Sequence, residues 1–232
     1  MKQFTSIFVI FFLVAGLSTP AAQAASEENA RQRVEKAADV LNELMGIKEN
    51  GIPNYLLDRC EAIIVFPSVY KGGLGFGGRY GKGVVSSRLA DGSWSAPVFL
   101  KITGGSFGLQ IGVQSTDFVL LVMNKKGLKG LLKSKFTLGA DASVAAGPVG
   151  RGAEASTDAA LQAEIYSYSR CRGIFAGLSL EGSVITVHGD ANSAFYKKPV
   201  KASDVLLEGK VKPPEAAEPL LSVLRQCCPV KK

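Results

Sequence analysis

The chain has 232 residues, 47% hydrophobic and 20% charged, a globular mix that excludes disorder for the whole and gives room for one domain with a full core. Glycine accounts for 26 residues, about 11% against a usual level of about 7%, without the G-X-Y period of collagen. The formal charge is +7 and His188 is the single histidine, which excludes every metal site needing two imidazoles.

Residues 1–24 read as a secretory signal peptide: Lys2, an apolar run from Ile7 to Leu17, Pro20, and the small-residue stretch Ala22-Gln23-Ala24. The run is too short to cross about 30 Å of hydrocarbon as a stable helix, and no cysteine follows closely enough to carry a lipid anchor. The expected location is periplasmic, peripheral on an envelope membrane. Cleavage removes one cation and leaves the mature body basic. Ala30, Val34, Ala37, Ala38, Leu41 and Met45 then recur at helical spacing opposite Arg31, Arg33, Lys36 and Asp39, predicting an amphipathic helix capped by Ser26 and left at Gly46. Pro53 opens a second short helix to about Arg59.

From Ala62 the character turns to β. Strands are expected near 61–66, 74–80, 82–90, 96–103, 106–113, 117–123, 136–145, 159–169 and 174–187, with turn signals at Asp91-Gly92 and Gly104-Gly105. Such short intervals favour antiparallel connection over βαβ units. The fold class is therefore α+β: an antiparallel, glycine-rich curved sheet or barrel with N-terminal helices and short C-terminal helices. Gly77–Gly81 is echoed by Gly104–Gly108, as if two strands bend the same way. A helical excursion is expected at 125–133, where Leu128, Leu131 and Leu132 are flanked by Lys126, Lys129 and Lys133, with Lys125 and Lys135 at its ends. Short helices follow at 190–196 and 203–207, and Pro213-Pro214 begins a last segment carrying Leu220, Leu221 and Leu224. The organisation is a signal peptide at 1–24, one domain at 25–210, and a C-terminal helix and tail at 211–232.

Export permits disulfides, and four cysteines allow three complete pairings. A bond between the neighbours Cys227 and Cys228 closes a strained ring and is the least favoured, while Cys60 and Cys171 stand beside apolar runs that bury free thiols as small hydrophobes.

Two motifs suggest chemistry that their context opposes. Gly73–Gly78 satisfies G-x-G-x-x-G, but a dinucleotide site needs a helix next and Arg79–Val85 reads as more sheet. Gly104–Gly108 satisfies G-x-S-x-G around Ser106, with His188 after it and Asp117, Asp141 and Asp158 between, yet Leu109–Gln114 alternates like a strand instead of completing the strand–turn–helix of a nucleophile elbow. No catalytic residue, metal or cofactor is expected.

Phe66-Pro67-Ser68-Val69 with Lys71-Gly72-Gly73, Gly77–Gly83, Trp94-Ser95-Ala96-Pro97, Gly104–Gly112, Ser134–Asp141, Ala146–Arg151, Tyr168-Ser169-Arg170 and Gly173–Gly182 together resemble the SYLF domain, a lipid-binding and yeast-type actin-binding domain, over most of residues 30–200. The resemblance implies a non-enzymatic module that binds phospholipids, with phosphoinositide and actin binding in eukaryotic relatives and export signals in bacterial ones. Lipid contact in eukaryotic members is associated with an amphipathic N-terminal segment, here 30–45.

The expected function is binding of anionic phospholipids or a membrane surface through Lys125, Lys126, Lys129, Lys133 and Lys135, the leucines dipping toward the acyl boundary, with Arg79 and Lys82 as a second patch. The alternative is a structural or protein-interaction domain of the periplasm. Nucleic acid is not expected, nor is actin for an exported chain.

Overall fold

The computed structural model describes residues 20–47, 51–148, 163–171 and 180–229, without the side chains of 20–23, 74–76, 106–112 and 171. The expectations for 1–19 and for the strand portions at 159–162 and 174–179 lie outside the described residues. Helix α1 spans Pro20–Met45. Its alanine-rich start is itself helix-forming and Pro20 suits a first helical position, so Ser26 lies inside the helix rather than capping it. Ala30, Val34, Ala37, Leu41 and Leu44 form its buried stripe. Helix α2, Asn54–Arg59, starts directly after Pro53 as expected.

Six expected strands fuse into two. Strand β1, Ala62–Ser87, pairs antiparallel with β2, Val98–Val122, from Ala62 opposite Val122 to Val85 opposite Val98. The chain reverses around Asp91-Gly92, where the Asp91 carboxylate accepts from the Ser93 N–H and hydroxyl. Gly104-Gly105 does not turn: these residues pair with Arg79 and Gly78, so the two similar glycine stretches are cross-strand partners. A Cβ on Gly104 would lie 3.1 Å from Ser183 Oγ and 3.2 Å from its Cα, so this glycine admits a neighbouring turn rather than reversing the chain. Register shifts at Phe66/Val69 and Gly73/Gly75 bend the ladder, and Ser68 sits in the first with φ 57°.

The second edge of β2 is shared. Strand β6, Val184–Val187, pairs with Leu100–Thr103, and β5, Ile165–Cys171, pairs with Thr116–Val122. Short strands β3, Phe136–Thr137, and β4, Val144–Ala146, flank these, β4 parallel to β5 and the other pairings antiparallel. A single strand over 136–145 does not form because the Asp141 carboxylate accepts from the Thr137 N–H at 2.7 Å and its own N–H returns to Thr137 O, closing a turn between them.

Alternation along the strands feeds two cores. Ile63, Val65, Val84, Phe99, Val119 and Leu121 face α1, while Ile64, Phe66, Val85, Leu100, Ile102, Phe118 and Leu120 face the other way, which explains the unbroken apolar runs. Helix α3, Lys125–Gly130, starts at an Asn124 cap and ends three residues before the expected 133; its Leu128, with Leu131 just beyond, closes the second core. Helix α4 is Gly189–Tyr196 and α5 is Ala202–Leu206. After one 3-10 turn, α6, Glu218–Cys227, lays Leu220, Leu221 and Leu224 into the core it shares with α1. Among the described residues no helix is long and apolar enough to cross a membrane.

If processing removes residues 1–24, α1 loses only residues ahead of its first core position, Ala30. The fragment 25–232 is expected to melt within about 2 °C of the full chain, with Ser26 free to take the cap position. A much larger fall in a thermal melt would mean that the deleted turn supports the fold.

Candidate functional site

The polar edge of α1 lies along the β1–β2 ladder on the face that carries Val84 and Phe99. On that face Lys82 and Lys101 stand directly opposite one another across the strands, a like-charge pairing that destabilises a sheet. Arg33 of α1 comes over Phe99, its guanidinium carbon 5.8 Å from the ring centroid. Burial lowers the Arg33 pKa, and among the described residues no carboxylate pairs with it. Lys36 follows one turn later. Arg33, Lys36 and Lys82 line a cleft of about 310 Å³ between α1 and β1, whose wall also includes Ser68, Tyr70 and Tyr80; Lys101 stands beside it, across the ladder from Lys82. Its rim is aromatic: Tyr70 is 55% and Tyr80 45% exposed.

His188 reports the field of this cluster. It precedes α4, its N–H donates to Phe99 O at 2.8 Å, and its buried Nδ1 has no hydrogen-bond partner. Burial, then the charges of Lys101, Arg33 and Lys82, push its pKa down to about 4, opposed by Asp190. The folded value lies below the ordinary 6.5, so the ring's contribution to stability is fully present above about pH 6.5 and is lost as pH falls toward 4. That displacement corresponds to about 3 kcal/mol, and screening of the half-buried ring reduces it to about 1–2 kcal/mol. Melts between pH 7 and 5 are expected to show this loss in the wild type and a shallower slope in His188→Gln; parallel slopes would remove His188 as the titrating group.

The residues singled out in the sequence are dispersed. Lys125, Lys126, Lys129, Lys133 and Lys135 are exposed on α3 and the turns after it, but Lys126 pairs with Glu164 at 3.0 Å and Lys133 with Asp141 at 3.8 Å. Leu128 and Leu131 are 3% and 1% exposed. They cannot dip into a membrane, because this stripe packs into the core. Arg79 is buried and donates to Ser183 Oγ at 2.9 Å; three residues apart on one strand, Arg79 and Lys82 point to opposite faces, so they do not form one patch.

Arg33, Lys36 and Lys101 were not among the predicted contacts. A signal for them was available: Lys82 is nine residues before Asp91 and Lys101 nine after Gly92, so a hairpin folded on that turn sets the two lysines face to face.

The arrangement can hold a multiply charged anion, with tyrosines beside it for a larger headgroup or side chain. Ser106 lies inside β2, and no helix follows either glycine motif directly, so neither the nucleophile elbow nor the dinucleotide turn is formed. Among the described residues no group of His, Cys, Asp or Glu could hold a metal.

The family model described as Ysc84, Las17-binding protein actin regulator, matches residues 103–227. The chain is similar to Protein YSC84 of Saccharomyces cerevisiae, 38% identical over 203 residues that cover 84% of this chain and 43% of that protein. An SH3 domain-containing protein of Schizosaccharomyces pombe is 42% identical over 176 residues, 75% of this chain and 40% of that protein. The human SH3 domain-containing YSC84-like protein 1 is 34% identical over 202 residues, 84% of this chain and 58% of that protein. The chain thus spans only part of the length of these relatives.

Proposed function

The chain belongs to the Ysc84 family, the SYLF domain family, and on that footing we propose that it is a non-enzymatic binding module that holds anionic phospholipid headgroups at a membrane surface in the cleft between α1 and the β1–β2 ladder. One observation carries the reading: Arg33, half-buried and without a carboxylate partner among the described residues, shares the cleft with Lys36 and Lys82, and Lys82 stands directly opposite Lys101 across the ladder. Each cation near an anionic surface contributes about 1 kcal/mol, so four together supply about 4 kcal/mol. The α3 lysines, on the opposite face of the sheet, are a secondary surface within the same reading. Export through residues 1–24 to the periplasm belongs to it too, and is checked by sequencing the exported protein, expected to begin at Ala25.

A second reading is favoured by the description of the matching family model, Las17-binding protein actin regulator: an acidic protein surface occupies the same cleft. Co-sedimentation with phosphatidylcholine vesicles, with and without phosphatidylglycerol, separates the two. The lipid reading expects binding only with the anionic lipid, falling as salt rises because exposed attraction is screened over about 8–10 Å. Absence of binding in dilute buffer would defeat it, and a partner retained after detergent strips lipid would favour the protein reading.

A further inference from the structure

Three thiols gather away from the cleft, where the ends of α2 and α6 meet the β1–β2 connection. Helix α6 ends at Cys227, and Cys228 caps it with an N–H donated to Leu224 O at 2.9 Å. The two sulfurs are 3.2 Å apart, Cys228 fully buried and Cys227 half-buried. The backbone around them is held from outside: Trp94 Nε1 donates to Cys228 O at 3.1 Å and Arg88 to Pro229 O at 3.2 Å. The Arg88 guanidinium lies 4.8 Å over the Trp94 ring and also donates to Leu57 O, which accepts from the buried Cys60 thiol at 3.2 Å. The thiols are unlike. Burial pushes Cys60 up to about 12, whereas the hydrogen bond between the neighbours lowers Cys227 and raises Cys228, with Arg88 lowering all three. One thiolate-prone, half-buried sulfur touching one that keeps its proton is an attacking thiol beside a resolving one.

We propose that Cys227 and Cys228 are a reversible redox pair that closes a vicinal disulfide by exchange with a small disulfide of the glutathione class. The Cys227 thiolate bonds to one sulfur of the small disulfide, whose S–S bond breaks and releases a thiolate that takes up a proton. Cys228 then gives up its proton, its sulfur attacks Cys227, and the second small thiolate leaves. The protein loses two electrons and two hydrogens, and the small disulfide becomes two thiols. The ring between adjacent residues is strained, which places the bond among the labile disulfides rather than the permanent ones. This site is independent of headgroup binding.

The test equilibrates the full reduced chain with glutathione buffers of rising oxidised fraction, quenches it with acid and iodoacetamide, and maps tryptic peptides. The peptide Gln226–Lys231 is expected to pass from doubly alkylated to an internally bridged form lacking two hydrogens, reversibly with dithiothreitol, in both the wild type and Cys60→Ala. Cys228→Ser should instead stop at Cys227 carrying one glutathione. The proposal is overturned if Gln226–Lys231 stays doubly alkylated at every ratio, if it is joined to the Cys60–Lys71 peptide, or if Cys228→Ser takes up no glutathione at Cys227.

Discussion

Lys82→Glu is expected to make the protein more stable and a poorer binder at once. Lys82 faces Lys101 across the ladder, so the substitution exchanges a repulsive cross-strand pair for an attractive one, worth about 0.2–1 kcal/mol and a rise of about 1–3 °C in melting temperature for a chain this size. The same change turns one attraction for an anionic surface into a repulsion, about 2 kcal/mol or roughly thirtyfold in affinity. Lys82→Glu with Lys101→Glu restores a like-charge pair of opposite sign. Its stability should return to near the wild-type value while vesicle binding falls by about a thousandfold. Stability and binding moving in opposite directions is the mark of side chains kept for function at a cost to the fold. Lys129→Glu with Lys133→Glu, on α3, serves as the contrasting arm and is expected to weaken binding less. Equal losses from the two double variants would mean that charge anywhere suffices and that the cleft has no special place.

The largest effect on folding is expected at Asp117. Its carboxylate is buried, accepting the Ser68 N–H at 2.8 Å and the Arg170 guanidinium at 3.0 Å, while Arg170 also pairs with Glu43 of α1. One side chain thus ties β2 to the bent part of β1, to β5 and, through Arg170, to the helix that forms the other wall of the cleft. Asp117→Ala leaves a strand N–H and part of a guanidinium without an acceptor, a loss of about 3–5 kcal/mol for a broken buried pair, or about 10 °C in melting temperature. Glu43→Gln, whose carboxylate is half-exposed, should cost less than about 1 kcal/mol. Denaturant unfolding of both variants checks this; near-equal midpoints would show that the buried contacts of Asp117 add little.

Much of this architecture could be read from the residues. The stripe from Ala30 to Leu41 and the Pro53 start depend on neighbours in sequence, and both helices form. The strand count went astray for a physical reason: a pair of glycines signals either a reversal or a close approach, and only the position of Ser183, far along the chain, decides for the latter at Gly104. The α3 region misled differently. Its leucines and lysines have amphipathic spacing, but spacing does not say whether the apolar side meets lipid or protein, and here Leu128 and Leu131 belong to the core that also holds Phe136 and Leu138. The cleft was harder still, since Arg33 and Lys36 look like an ordinary solvated helix edge until α1 is laid beside Lys82 and Lys101.

The single histidine allows the central claim to be tested without resonance assignment. His188 is held down to about 4 in part by Lys101, Arg33 and Lys82, so an anion seated among them should offset their charge and lift the imidazole pKa back toward 6.5. Proton NMR titration of the imidazole, with and without bicelles bearing phosphatidylglycerol, is expected to show that rise, and only when the anionic lipid is present. Bicelles that bind the protein yet leave the His188 titration where it was would contradict the account.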